Sequence, residues 1–221
     1  MPFSRLIALF TLIVPMLVGN LRAQGIPSTA PENGDPHHEI IVSVKDQQLL
    51  LKTDGKPEAI YPVSTSKFGI GDRLGSYATP LGKFLVRMKI GMGKPLGTVF
   101  HSRVPTGEIL KPNAPGRDPI VTRILWLEGM EPGNRNAFSR GIYIHGTPQE
   151  KLLGRPASYG CIRMKSSDVA VLCDRVTTGA TVRIIPDHLP EHAGFGGFLN
   201  AHRLVAANTR APESASEKEA E

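Results

Sequence analysis

Ile142-Tyr143-Ile144-His145-Gly146-Thr147, followed by Ser158-Tyr159-Gly160-Cys161-Ile162-Arg163-Met164, is the part of the chain whose reading decides the rest. Side chains of a strand alternate between its two faces. Ile142 and Ile144 therefore enter a core, while Tyr143 and His145 point the other way. The same alternation in an extended Cys161-Ile162-Arg163 buries Ile162 and sets Cys161 and Arg163 together on the open face. A thiol, an imidazole and a guanidinium thus converge beside a helix expected from about Ser166 onward.

That trio has a chemistry. A thiol with an ordinary pKa of about 8.5 is mostly protonated at neutral pH, and a nearby imidazolium, guanidinium or helix N-terminus lowers it to roughly 3.5–7.5. The thiolate attacks a carbonyl carbon, and the imidazole then protonates the leaving amine. Gly160 lets the backbone approach a substrate, and the N–H groups of Gly160 and Cys161 are candidates to stabilise the oxyanion. The residues point to acyl transfer, with Cys161 as nucleophile and His145 as general base.

Outward from this stretch the chain reads as short strands joined by loops. Glu39 to Lys45 alternates toward Ile40, Val42 and Val44, Leu49 to Thr53 returns after a turn at Asp46-Gln47, and Asp54-Gly55 is a strong hairpin signal before Ile60 to Val63. Further strands are expected at Phe84–Met88, Pro119–Leu127, Gly141–His145 and Thr181–Ile185. The run from Gly91 to Asp118 has no clear periodicity and reads as a long functional loop that has room for short hairpins. Lys165 to Val176 is the best helix: Ser166 is its expected cap, Asp168 lies in its first turn, and Val169, Leu172, Cys173 and Val176 form one apolar stripe. The result is a mostly β domain over residues 39–186.

The ends read differently. Arg5, the apolar run Leu6 to Val18, and the small residues Ala23 and Gly25 have the layout of a secretory signal peptide over 1–23. Pro15 interrupts a run already too short to span a bilayer comfortably, so no stable membrane span is expected. Residues 24–38 are rich in Pro, Gly, Asn and Ser and read as a flexible linker, and residues 187–221 as an extension that ends in a disordered polar tail. The net charge of +6 falls to +4 once Arg5 and Arg22 leave with the signal peptide. Absence of any Lys/Arg run interleaved with aromatics argues against nucleic acid as a partner.

The pattern His-Gly-Thr, a spacer, then Ser-x-Gly-Cys-Ile-Arg-Met resembles the signature of the L,D-transpeptidase catalytic domain (YkuD type). Tyr61-Pro62-Val63-Ser64-Thr65 and Thr79-Pro80-Leu81-Gly82-Lys83-Phe84 are similar to other stretches of that family. The resemblance implies a mixed, barrel-like β sheet with one or two short helices, and no cofactor or metal. It also implies that Gly146 and Ser158 orient the His145 imidazole, and that Tyr159 and Gly160 support the site beside Cys161. Arg163, Tyr143 and Thr147 are its implied substrate-binding residues. The implied substrate is the peptide stem of peptidoglycan, cleaved before its terminal D-Ala and passed to an amine of a second stem, to a wall-anchored protein or to water. Such an enzyme works outside the cytoplasm, in the periplasm or wall. Two positions depart from the pattern: Tyr159 stands where many members have His, and Ser66 where a Gly often follows the Tyr-Pro-Val-Ser-Thr stretch.

Rival readings rest on other residues. A Cys161–Cys173 disulfide would consume the nucleophile, and Cys173 lies on the helix's apolar stripe, where a free Cys behaves as a small hydrophobe. His188, Glu191 and His192 suggest a metal site, which Pro190 disfavours by disturbing a helix there. A sortase-like enzyme would carry its His much farther upstream of Cys than the 16 residues here. A non-catalytic wall-binding scaffold would not need His145, Cys161 and Arg163 intact.

Overall fold

The computed structural model describes residues 34–190. The expected signal peptide, most of the linker, and the extension from residue 191, with Glu191 and His192, lie outside the described residues. Strands β1 (His38–Ser43), β2 (Gln48–Thr53) and β3 (Lys56–Pro62) form an antiparallel meander. Asp54 (φ 50°) and Gly55 (φ 75°) both adopt left-handed backbone between β2 and β3, as a tight hairpin turn requires. Then come β4 (Gly82–Ile90), β5 (Thr98–His101), β6 (Val104–Ile109) and β7 (Ile120–Gly129). The chain closes with β8 (Tyr143–Gly146), β9 (Ile162–Met164), α1 (Ser166–Arg175) and β10 (Thr181–Ile185).

These strands make one mixed sheet in the order β3-β2-β1-β10-β4-β7-β5-β6, and β8 and β9 branch from β7. The sheet is not closed: its path runs between the edge strands β3 and β6. The last strand, β10, lies parallel to the first, β1, and antiparallel to β4, so the two ends of the domain are stitched together at its centre. Asp35, on the stretch read as linker, is buried there and accepts the Thr177 N–H at 2.8 Å.

One apolar core is filled from alternate positions, as period-two patterning requires. It holds Ile40, Val42, Leu49, Leu51, Phe84, Val86, Leu125 and Leu127, together with Ile142, Ile144, Ile162 and Met164. Helix α1 presses Val169, Leu172 and Cys173 onto it, followed by Val176 just past its end, all fully buried. Each such side chain contributes about 1.5–3 kcal/mol on burial. The helix start differs from expectation. Ser166 is the first helical residue rather than the cap, and its N–H is held at 3.0 Å by Glu150 Oε1 from a 3-10 turn at Glu150–Leu152. A carboxylate from a distant turn does the capping, favoured by the dipole.

Within the expected loop 91–118, β5 and β6 form a hairpin whose turn, Ser102 (φ 48°) and Arg103 (φ 69°), is left-handed without Gly or Asn. It covers the face opposite the main core. There Phe100, Ile124 and Tyr143 make a second cluster, on which Ile90, Ile120, Trp126 and Cys161 pack.

Candidate active site

The site is built on a short parallel pairing that branches from the sheet. Strand β8 runs parallel to β9 with Ile144 opposite Ile162, His145 opposite Arg163 and Gly146 opposite Met164. Ile142, Ile144, Ile162 and Met164 all go to the core, so the residues between them share the other face. In this register Cys161 falls beside Tyr143 and His145 beside Arg163, on strands about 5 Å apart. On its far side β9 is held by paired backbone bonds to Ser64, at 2.9 and 3.0 Å. The face is not open, as alternation alone implied: the β5–β6 side of the molecule covers it, and His145 and Tyr143 are buried.

His145 Nδ1 lies 2.8 Å from the Gly146 carbonyl oxygen. A carbonyl only accepts, so Nδ1 carries the hydrogen and Nε2 is left with its lone pair. Glycine at 146 is dictated by close approach: a Cβ there would stand 2.6 Å from the Val121 carbonyl oxygen on β7. Burial pulls the imidazole down to about 4; the Gly146 bond opposes this, Arg163 reinforces it, and Asp118 opposes it. His145 is therefore uncharged at neutral pH, with its Nε2 lone pair free to accept a proton.

Cys161 is half-buried, and its thiol donates to the Gly141 carbonyl oxygen at 3.3 Å. Burial pushes it up to about 11, against the Tyr143 backbone N–H and the Arg163 and Arg140 guanidinium groups, which favour the thiolate. This corrects the expectation of a resting thiolate: desolvation outweighs the cations, and α1 begins beyond Cys161, at Ser166. The resting pair is thiol plus imidazole, both uncharged.

The Ser158 hydroxyl is bonded to backbone rather than to the imidazole. It donates to the Cys161 carbonyl oxygen at 2.5 Å and accepts the Gly160 N–H at 3.2 Å, bracing the turn that presents the thiol. That bond commits the Gly160 N–H, expected to be an oxyanion donor, elsewhere. Gly160 itself has φ +120°, and its Cβ position would lie 3.3 Å from both the Ala78 carbonyl oxygen and Ile142 Cδ1. Thr79 Oγ1 donates to the Gly160 carbonyl oxygen at 3.0 Å, and the Ser66 N–H donates to Thr79 Oγ1. Ser66 also sends its hydroxyl to the Tyr77 carbonyl oxygen at 2.5 Å, so its side chain holds the 64–79 loop together.

Arg163 and Thr147 are buried and meet on a residue the sequence did not reveal, Asp118. Its Oδ2 lies 2.5 Å from Arg163 Nη2, and its Oδ1 accepts the Thr147 hydroxyl at 2.5 Å. Tyr143 has its hydroxyl 3.1 Å from Arg103 Nη1 and its ring edge-on to Trp126. Tyr159, by contrast, is exposed, and Lys67 Nζ donates to its hydroxyl at 3.0 Å. Arg140 is a second unforeseen neighbour. Its side chain is buried, paired with Asp72 at 3.0 Å, and donates to the Gly71 and Ala78 carbonyl oxygens at 2.9 and 2.6 Å, which fastens the 64–79 loop over the site. Asp118 and Arg140 lie 43 and 21 residues from Cys161, in segments without periodicity, and nothing in the local sequence sets them apart from charged neighbours such as Arg117 and Arg135.

Both cysteines are free, and no metal-holding cluster of His, Cys, Asp and Glu occurs among the described residues. The arrangement suits a buried base, a thiol on a rigid turn, and a neutralised guanidinium beside them.

Comparison with known proteins gives the same frame. The chain is 30% identical over 159 residues, 72% of this chain and 76% of that protein, to "Putative L,D-transpeptidase YqjB" of Bacillus subtilis (strain 168). Among solved structures it is similar to an L,D-transpeptidase from Mycobacterium smegmatis, with a TM-score of 0.43, 18% identity, and coverage of 67% of this chain and 58% of that one. It is also similar to the L,D-transpeptidase (residues 123–326) of Xylanimonas cellulosilytica, with a TM-score of 0.45, 20% identity, and coverage of 71% and 63%. The chain thus spans less than two thirds of the length of these solved structures. The family described as YkuD, L,D-transpeptidase catalytic domain, matches residues 37–184. With its signature residues gathered on one strand pair, this chain belongs to the YkuD family of L,D-transpeptidase catalytic domains.

Proposed function

We propose that this protein is a cysteine-dependent L,D-transpeptidase that is acylated by peptidoglycan stem tetrapeptides outside the cytoplasm. The observation that carries the reading is the His145 Nδ1 bond to the Gly146 carbonyl, which leaves Nε2 as a base on the face that also holds Cys161. As Sγ attacks the carbonyl carbon of the third stem residue, Nε2 takes the thiol proton, and the Cys161 N–H receives the oxyanion. Collapse of the tetrahedral intermediate breaks the bond to the terminal D-Ala, whose amine leaves with the proton held on Nε2. An acceptor amine then attacks the thioester, gives its proton to Nε2, and the thiolate takes it back as the new amide forms.

Two neutral groups suit this cycle. Proton transfer coupled to attack avoids placing an ion pair in a buried site before substrate arrives. A second stem as acceptor gives a 3–3 cross-link, a wall-anchored protein gives attachment, and water gives a tripeptide. Mass spectrometry of peptidoglycan fragments incubated with the purified protein separates these products. Loss of D-Ala with a thioester adduct on Cys161, absent in Cys161→Ala, is the expected result. No adduct and no D-Ala release would overturn the reading in favour of a wall-binding scaffold.

A further inference from the structure

Beside Arg163, on the side away from the core, lies a cavity of about 660 Å³ lined by Lys67, Asp118, Gln149, Arg155, Tyr159 and Arg163, among others. Its charges are unequal. Asp118 supplies the one carboxylate in the lining; it is ion-paired with Arg163 and accepts the Thr147 hydroxyl. Lys67 and Arg155 have no carboxylate partner among the described residues. Unpaired cations on a concave wall concentrate positive potential inside it.

The wall is built rather than incidental. The Lys67 N–H donates to the Ser158 carbonyl oxygen at 3.1 Å, and the Ser64 hydroxyl donates to the Arg155 carbonyl oxygen at 2.7 Å. Both cations therefore spring from backbone fixed against the strand that carries the site. Lys67 Nζ is further steadied by the Tyr159 hydroxyl and lies 4.4 Å from the centre of that ring. Above it Phe68, Tyr77 and Tyr159, each at least half exposed, pack against one another at 5.4–6.0 Å between ring centres. The lining residue Tyr159 is thus braced by two further aromatic rings.

We propose that this cavity is an anion subsite that takes a carboxylate carried on the side chains of the acyl donor, with Lys67 and Arg155 as its cations and Tyr159 as its wall. The inference rests on the acyl-transfer reading above and names what that site selects. Tyr159 and Arg163 flank Cys161 by two residues each, so a peptide whose reacting carbonyl sits at Cys161 reaches the cavity within about two residues of extended chain, at roughly 3.3–3.6 Å per residue. Arg163 is neutralised by Asp118 and shapes the floor, while the discriminating charges are the two without partners. Carboxylate and phosphate share the charge chemistry, and continuity with the acyl site favours the carboxylate.

The test uses two tetrapeptide donors that differ only in whether their side-chain carboxylates are free or amidated. Binding is measured by calorimetry on the full chain carrying Cys161→Ala, so no turnover is needed. The free-acid donor should bind about tenfold more tightly, as expected for a charge-assisted contact, and the advantage should shrink as salt rises. Arg155→Ala and Lys67→Ala should each bring the two donors closer, and Arg155→Lys should restore part of the difference. Both positions are solvent-facing, and unchanged thermal unfolding of the variants confirms that the fold is intact. Equal binding of the two donors, binding of neither, or displacement by inorganic phosphate at concentrations where acetate has no effect overturns the subsite. Preserved preference with no D-Ala release by the unsubstituted chain would instead overturn the acyl-transfer reading and leave the subsite standing.

Discussion

Arg163 and Asp118 stand 2.5 Å apart between Nη2 and Oδ2, and the second oxygen of Asp118 takes the Thr147 hydroxyl at the same distance. One carboxylate thereby ties β9 to the segment leaving β8, behind the two reactive groups. Asp118→Asn keeps an acceptor for Thr147 and removes the charge that balances a buried guanidinium. We expect a loss of about 3 kcal/mol in urea unfolding, with kcat/KM lowered about tenfold or more as Arg163 reorients. A double-mutant cycle with Arg163→Met checks the coupling, and additive losses would show that the pair is not a unit.

The thiol of Cys161, pushed up to about 11, has a distinct signature. Iodoacetamide labelling of the resting protein should accelerate about tenfold per pH unit between pH 7 and 10, without a plateau near the ordinary thiol value. Cys173, wholly buried and pushed up to about 12, should remain unlabelled until the protein unfolds. Cys173→Ala should leave D-Ala release intact and cost about 1–2 kcal/mol from the small cavity it opens. A labelling plateau below pH 8 would contradict the desolvated thiol.

For His145, burial holds the folded-state pKa near 4, below the ordinary 6.5 of the unfolded chain. Between those values the unfolded state binds a proton that the folded state refuses. Its contribution is complete above pH 6.5 and is lost as pH falls toward 4, by about 3 kcal/mol in all. Urea midpoints across this window should fall less steeply in His145→Gln. The acid limb of kcat/KM should likewise lie near 4, and an inflection at 6.5 would show that the imidazole is not buried during turnover.

Gly160→Ala places a methyl where the backbone is left-handed and the Ala78 carbonyl oxygen is 3.3 Å away. The strain and displacement should cost about 2 kcal/mol and move the thiol off its turn. Thermal unfolding and D-Ala release should fall together, whereas unchanged activity would mean that the turn tolerates another geometry.

Much of this molecule was legible because burial writes a period into sequence. Ile142, Ile144, Ile162 and Met164 announce which face is core, and so assign His145 and Cys161 to the other. Expected strand ends fell within a few residues of those observed, and Thr181–Ile185 matched outright. The β5–β6 hairpin left little trace: Pro105 and Gly107 sit inside a strand whose residues are nearly all exposed, and its left-handed turn lacks the usual residues. The state of the thiol was hidden for a different reason. Neighbouring cations can be counted in a sequence, whereas desolvation depends on what the hairpin covers.

The parallel pairing of β8 with β9 has a consequence for how such a protein diversifies. Parallel neighbours cannot be joined by a tight turn, so the chain from Thr147 to Cys161 must loop back before β9 begins. That detour supplies Gln149, Leu152, Arg155, Pro156, Ala157 and Tyr159 to the cavity while the imidazole and the thiol stay anchored at its two ends. Substitutions at these lining positions alter what is recognised, while Ser158 and Gly160 in the same stretch keep the thiol in place. Inheritance can therefore rewrite selectivity and leave the chemistry untouched.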